Sequence, residues 1–94
     1  MTEFQFDMMK SALTELNLPE VTHLACLTIL DDKRTKDIFT AKNTRNVIAG
    51  AIYITAIQTN NRVTQRQIAD VVGVSKSTIY TYYVRMAKLL GLYG

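Results

Sequence analysis

Seven residues in the last third of the chain carry groups suited to a nucleic acid. Ser77, Tyr80 and Thr81 offer hydroxyls that could meet base edges in a groove, while Lys76 and Arg85 offer charge to the phosphates beside them. Gln65 and Arg66 fall where a helix should start, and there backbone N–H groups and the helix dipole favour an anion as well. All seven lie in the stretch 64–88, TQRQIADVVGVSKSTIYTYYVRMAK. The chemistry they suggest is recognition of double-stranded DNA, with base contact from the first three and phosphate contact from the other four.

Such groups are useful only if helices hold them in place, and the local signals for two helices are strong. Thr64 followed three residues later by Gln67 is a capping box, so a helix starts there. Ile68, Val71 and Val72 recur at the spacing of a buried helical face, and Gly73 supplies the positive φ that ends such a helix. Ser75 caps the next helix, in which Ile79, Tyr83, Met86 and Leu90 form one apolar stripe, with Ser77, Tyr80, Thr81 and Lys88 on or near the other side. Two helices joined by a short turn containing Gly, the second polar on its outer face, match the helix-turn-helix that sets its second helix in the major groove. A helical hairpin that merely packs fits the same pattern.

Charge distribution favours the DNA-binding alternative. The net charge of +3 divides into −3 over residues 1–20, +2 over 21–60 and +4 over 61–94. The basic third coincides with the two-helix stretch, as phosphate attraction requires, although a solvated basic face would look the same. Ninety-four residues suffice for one domain, 1–94, with a single core. No apolar run reaches about 18 residues, and the start MTEFQFDMMK is acidic, which points to a cytoplasmic protein with no membrane contact. Cys26 is single and has only His23 nearby, so it reads as a small core residue with no metal or cofactor role, and His23 as a helix-surface residue. Enzyme readings fail on inventory: there is no Gly-rich phosphate loop, no Ser or Cys has a His at credible spacing, and no small-molecule substrate is evident.

The rest of the chain reads as three further helices. The first runs from about Thr2 to Leu16, with Phe4, Met8, Ala12 and Leu16 on one face and Met9 and Leu13 beside them. Pro19 opens the second at its first helical position, and Val21, Leu24, Ala25, Leu27, Thr28 and Ile29 give it a wide apolar face to about Leu30. Residues 31–42 are densely charged without a period and read as a loop, with a ragged helical turn at its start at most. Asn43 or Thr44 then caps a third helix in which Val47, Ile48, Ala51, Ile52, Ile54, Ala56 and Ile57 leave almost no polar side. A helix apolar all round is buried, and Ala49-Gly50-Ala51 keeps its surface narrow; Tyr53 belongs to this core. The expected fold is all-α, five helices with the third wrapped by the others.

That order resembles the cyclin-like repeat of archaeal transcription factor B and eukaryotic general factor IIB, most closely the second repeat. The resemblance rests on Ala49-Gly50-Ala51-Ile52-Tyr53-Ile54, on Thr64-Gln65-Arg66, on Ile68 to Val74, and on Thr78-Ile79 with Tyr83; Leu13–Pro19 sits where the family joins its first two helices. It implies a five-helix cyclin fold whose last two helices form a helix-turn-helix that reads a promoter element through the major groove. Full members look like a zinc ribbon, a linker and two repeats, whereas this chain has one repeat. The family typically carries a Val where this chain has Ser77 and an Arg where it has Tyr80; an Arg reads guanine through two parallel hydrogen bonds, which a Tyr hydroxyl does not reproduce. The main reading is therefore a DNA-binding transcription regulator or transcription-factor-B-like protein. A cyclin-fold interaction module of the transcription machinery without DNA readout is the alternative, since Tyr80 and Tyr82 also suit a protein interface. A second copy of the chain, forming a homodimer through Phe4, Phe6, Met8 and Met9, or a transcription-machinery protein would be the partner besides DNA.

Overall fold

The computed structural model describes residues 1–92. Its regular elements are helices: α1 Glu3–Glu15, α2 Glu20–Asp31, α3 Lys33–Lys36, α4 Thr44–Gln58, α5 Gln65–Val72 and α6 Lys76–Leu89. Five are the expected ones, and α3 is a single added turn. The central helix α4 packs against α1, α2, α5 and α6, most extensively against α6.

Local chemistry fixes where each helix starts. Thr2 and Gln5 form a capping box at α1, with the Gln5 N–H donating to Thr2 Oγ1 at 3.1 Å and the Thr2 N–H to Gln5 Oε1 at 2.9 Å. The same Thr-x-x-Gln signal stands in the sequence at 2–5. After α1 the chain turns at Asn17, whose φ of 56° lets the Leu18 N–H reach the Leu13 carbonyl at 3.1 Å. Pro19 lies one position outside α2, not at its first helical residue: its extended backbone presents its carbonyl to the N–H groups of Thr22 and His23. Asn43 stands at the start of α4 but does not cap it. Its Oδ1 accepts from the Thr40 N–H at 2.7 Å and its Nδ2 donates to the Ile38 carbonyl at 2.7 Å, so the side chain ties the preceding turn together instead.

The charged stretch 31–42 is more ordered than its composition suggests. Asp32 caps α3 through the Arg34 N–H and clasps the Arg34 guanidinium with two hydrogen bonds of 2.9 Å. Thr35 and Ile38 are buried, so this segment is pinned to the core from within the charge run.

Burial on α2 differs from the sequence expectation. Thr22, Cys26, Ile29 and Leu30 face inward, whereas Val21 is 59% and Leu24 58% exposed and Thr28 is exposed too. The helix has packed neighbours, α1, α3 and α4, against its inner face only. A wide apolar face in the sequence thus holds one buried stripe and one that meets solvent. Its inner stripe includes polar groups, and they are satisfied: Asn61 Nδ2 donates to Thr22 Oγ1 at 3.1 Å and to Thr59 Oγ1 at 2.6 Å, and Thr59 donates to the Thr55 carbonyl. This cluster fastens the start of α2 to the end of α4. Cys26 is fully buried, and burial pushes its thiol up to about 12, with the hydrogen bond to Thr55 pulling the other way.

The central helix is buried as expected from Val47 through Ala56, with Tyr53 half-buried, but Ile57 is half exposed. Gly50 explains why α6 comes so close. A Cβ placed on it would lie 3.0 Å from Tyr82 Cβ and 3.2 Å from both the Tyr82 carbonyl carbon and the Tyr83 nitrogen. The two helix backbones cross where α4 has no side chain.

Candidate nucleic-acid interface

Helices α5 and α6 form the two-helix unit the sequence predicts, and every local signal for it is present as a bond. The Gln67 N–H donates to Thr64 Oγ1 at 3.1 Å while Gln67 Oε1 accepts from the Thr64 N–H at 2.9 Å. Gly73 ends α5 at φ 84°, which directs its own N–H and that of Val74 to the Ala69 carbonyl. Two residues on, Ser75 Oγ accepts from the Thr78 N–H at 3.1 Å and starts α6.

Packing then decides which side of α6 faces outward. Ile79, Met86 and Ala87 are buried against the core, and Tyr83 and Leu90 are half-buried beside them. Tyr83 meets Tyr53 of α4 edge to face at 5.0 Å between ring centroids, and Tyr80 leans on Tyr83 at 6.2 Å. This series of rings runs from the central helix to the surface, where Tyr80 is 52% exposed.

The first two turns of α6 expose Lys76, Ser77, Tyr80 and Thr81 together. Arg85, one turn further, is exposed but belongs to a different neighbourhood: its guanidinium carbon lies 5.9 Å from the centroid of the Tyr82 ring, and the side chain lines a groove with Lys88, Leu89 and the Arg34, Asp37 and Ile38 of the α3 region. Arg66 is exposed at the start of α5, and Gln65 beside it is partly covered. Among the described residues no carboxylate lies within ion-pair distance of Arg62, Arg66, Lys76, Arg85 or Lys88. Their charge is therefore available to an external anion.

The hydroxyls are less free than their exposure suggests. Thr81 Oγ1 donates to the Ser77 carbonyl at 2.9 Å. Ser75 Oγ donates to Thr78 Oγ1 at 2.8 Å, so in its 3.2 Å contact with Ser77 Oγ the proton comes from Ser77.

Two further cations join this region through the tertiary fold. Arg45, in the first turn of α4, brings its Nη1 to 3.4 Å from where a Gly73 Cβ would stand, directly against the turn between α5 and α6. Lys42 lines the same groove, together with Phe4, Met8 and Val74. Their charge is the one signal the sequence carries for this placement, and nothing local ties residue 45 to residue 73.

Comparison with known proteins agrees with this architecture. Residues 5–89 match the family described as the transcription factor TFIIB repeat. Similar proteins include transcription initiation factor IIB of Aeropyrum pernix, 34% identical over 80 residues, which are 85% of this chain and 25% of the relative. That of Methanothrix thermoacetophila is 36% identical over 77 residues, 82% of this chain and 23% of the relative. That of Methanococcus maripaludis strain C5 is 33% identical over 79 residues, 84% and 23% respectively. The chain spans about a quarter of the length of the curated relatives it matches.

Proposed function

Because this chain belongs to the transcription factor TFIIB repeat family, we propose that it acts in transcription as a DNA-binding protein that reads duplex DNA through α5 and α6. The observation that carries this reading is the exposed face of the two-helix unit, where Arg66 and Lys76 have no carboxylate partner among the described residues and Ser77, Tyr80 and Thr81 lie between them and the next turn. A helix-turn-helix docks with the first turns of its second helix toward base edges and the start of its first helix on the backbone. Ser77, Tyr80 and Thr81 then face bases, and Gln65, Arg66 and Lys76 face phosphates. Arg85 extends the phosphate contact along α6, and Arg45 with Lys42 adds charge beside the turn. A fluorescence-anisotropy titration on random-sequence duplex at several salt concentrations tests the reading. Binding that weakens steeply with salt is expected, and absence of binding at low salt overturns it.

A second reading has an observation of its own. Val21 and Leu24, with Thr28 one turn on, form an exposed stripe on α2, and the Thr28 hydroxyl is turned to the Leu24 carbonyl. Such a stripe suits a protein partner of the transcription machinery, and it becomes the main reading if DNA is not bound.

Specific recognition is also expected to need a second DNA-binding copy or partner, since a single module covers only about 600–1,000 Å² of protein surface. Of the residues proposed for a homodimer, Met9 is buried and Met8 partly so, which leaves Phe4 at 67% exposure and Phe6 as the apolar groups α1 can offer. Sedimentation at micromolar concentration with and without DNA decides it. A strict monomer that binds one site tightly and specifically refutes self-association.

A further inference from the structure

The three side chains of α6 that face bases in this reading are short of one chemical capability: none can address guanine with two parallel donors. Ser77, Tyr80 and Thr81 include no guanidinium and no carboxamide, the side chains that read guanine and adenine bidentately in the major groove. Lys76 stands at the first helical residue on the phosphate side, and Arg85, the guanidinium on this helix, sits beyond them against Tyr82 and the α3 groove.

What the face does offer follows from its internal hydrogen bonds. The hydroxyl protons of Ser77 and Thr81 are committed within the helix, which leaves acceptor lone pairs on both oxygens and the methyl of Thr81. Between them stands the Tyr80 ring, held by Tyr83 and through it by Tyr53 of the central helix, so its apolar surface is presented in a fixed place. Acceptors meet the adenine N6 amino group, and methyl and aromatic surfaces meet the C5 methyl of thymine, which lies at the same groove edge of the same base pair. A G·C pair also offers the acceptors an amino group, on cytosine, but it has no methyl, so discrimination rests on the apolar contact with thymine.

We propose that the first two turns of α6 select A·T pairs, with Tyr80 and Thr81 packing on a thymine methyl. This rests on the reading of α5 and α6 as a DNA-binding unit and names the base class that unit takes.

The test begins with selection of bound duplexes from a random library by the full chain. A·T pairs are expected to be enriched in the three to four central positions, and a consensus that demands guanine there overturns the proposal. In the best selected site each thymine is then replaced by deoxyuridine, which removes only the C5 methyl. One such replacement should weaken binding about fourfold, the equivalent of one buried methyl group. Tyr80→Ala should bind the thymine and deoxyuridine sites equally, while keeping the wild-type dependence on salt. No loss with deoxyuridine at any position overturns the proposal, as does a loss that persists undiminished in both Tyr80→Ala and Thr81→Ser. If the chain binds no duplex at all, the proposed function itself has failed, a result the initial titration separates from failure of A·T selection.

Discussion

Gly50 offers the sharpest test of the arrangement that carries α6, because two opposing effects act at one site and their sizes are known. Gly in the interior of a helix is about 0.8–1.0 kcal/mol worse than Ala, so on propensity alone Gly50→Ala should stabilise the protein by that amount. The added Cβ, however, would sit 3.0 Å from Tyr82 Cβ and 3.2 Å from two backbone atoms of α6. Backbone cannot rotate away as a side-chain tip can, so α6 must move outward by a few tenths of an ångström along a contact that also buries Ile79 and Met86. Overpacking of this kind costs about 1–3 kcal/mol. The balance is a net loss of about 0–2 kcal/mol, and for a domain of this size each kcal/mol lowers the thermal midpoint by about 4–8 °C. Urea denaturation followed by circular dichroism measures it. Gly50→Val should be worse, since its two extra carbons enter the same space. Refutation would come from a Gly50→Ala protein that gains about 1 kcal/mol: the close crossing of α4 and α6 would then be wrong, and with it the placement of the Tyr80 face.

Three further outcomes are expected. Ala51→Leu, at a fully buried position of α4, should destabilise by about 1–3 kcal/mol, measured by the same denaturation; a change near zero would contradict the buried central helix. Changing Arg66, Lys76 and Arg85 together to Ala should flatten the slope of log binding constant against log salt by about 0.9 for each phosphate no longer neutralised, with Arg45→Gln flattening it by one further step of that size if its charge also reaches the backbone, and an unchanged slope would leave these residues as a solvated face. Cys26 ionises only near 12 in the folded state but from its ordinary 9.0 when unfolded, so its contribution to stability is fully present below about pH 9 and is lost as pH rises toward 12. Replacing it by Ala should remove that part of the alkaline decline in a pH series of denaturation curves, and native protein at neutral pH should resist thiol reagents.

Residue type and spacing suffice to specify those features whose partners lie within about one helical turn. The capping box at Thr64 and Gln67, the left-handed Gly73 and the Ser75 cap each depend on atoms no more than five residues apart. The buried stripe of α6 and the burial of α4 were legible for a related reason: helical periodicity places residues on a common face, and a helix apolar on nearly all sides has to be enclosed. Periodicity does not say how far that enclosure extends. Val21, Leu24 and Ile57 continue apolar patterns yet face solvent, because exposure is set by which sides of a helix its neighbours cover and not by the residue's own type. Composition likewise hid the order in residues 31–42, where Asp32 and Asn43 turn charged and polar side chains into fasteners for the backbone. The candidate interface divides in the same way. Its residues on α5 and α6 are near one another along the chain, whereas Arg45 reaches Gly73, and α6 reaches Gly50, only after the chain has folded back through contacts with no local signature. Long-range packing therefore set which charges flank the turn, and it propped the Tyr80 ring through Tyr83 on a central helix some thirty residues earlier in the chain, a separation across which no pattern of residue types carries information.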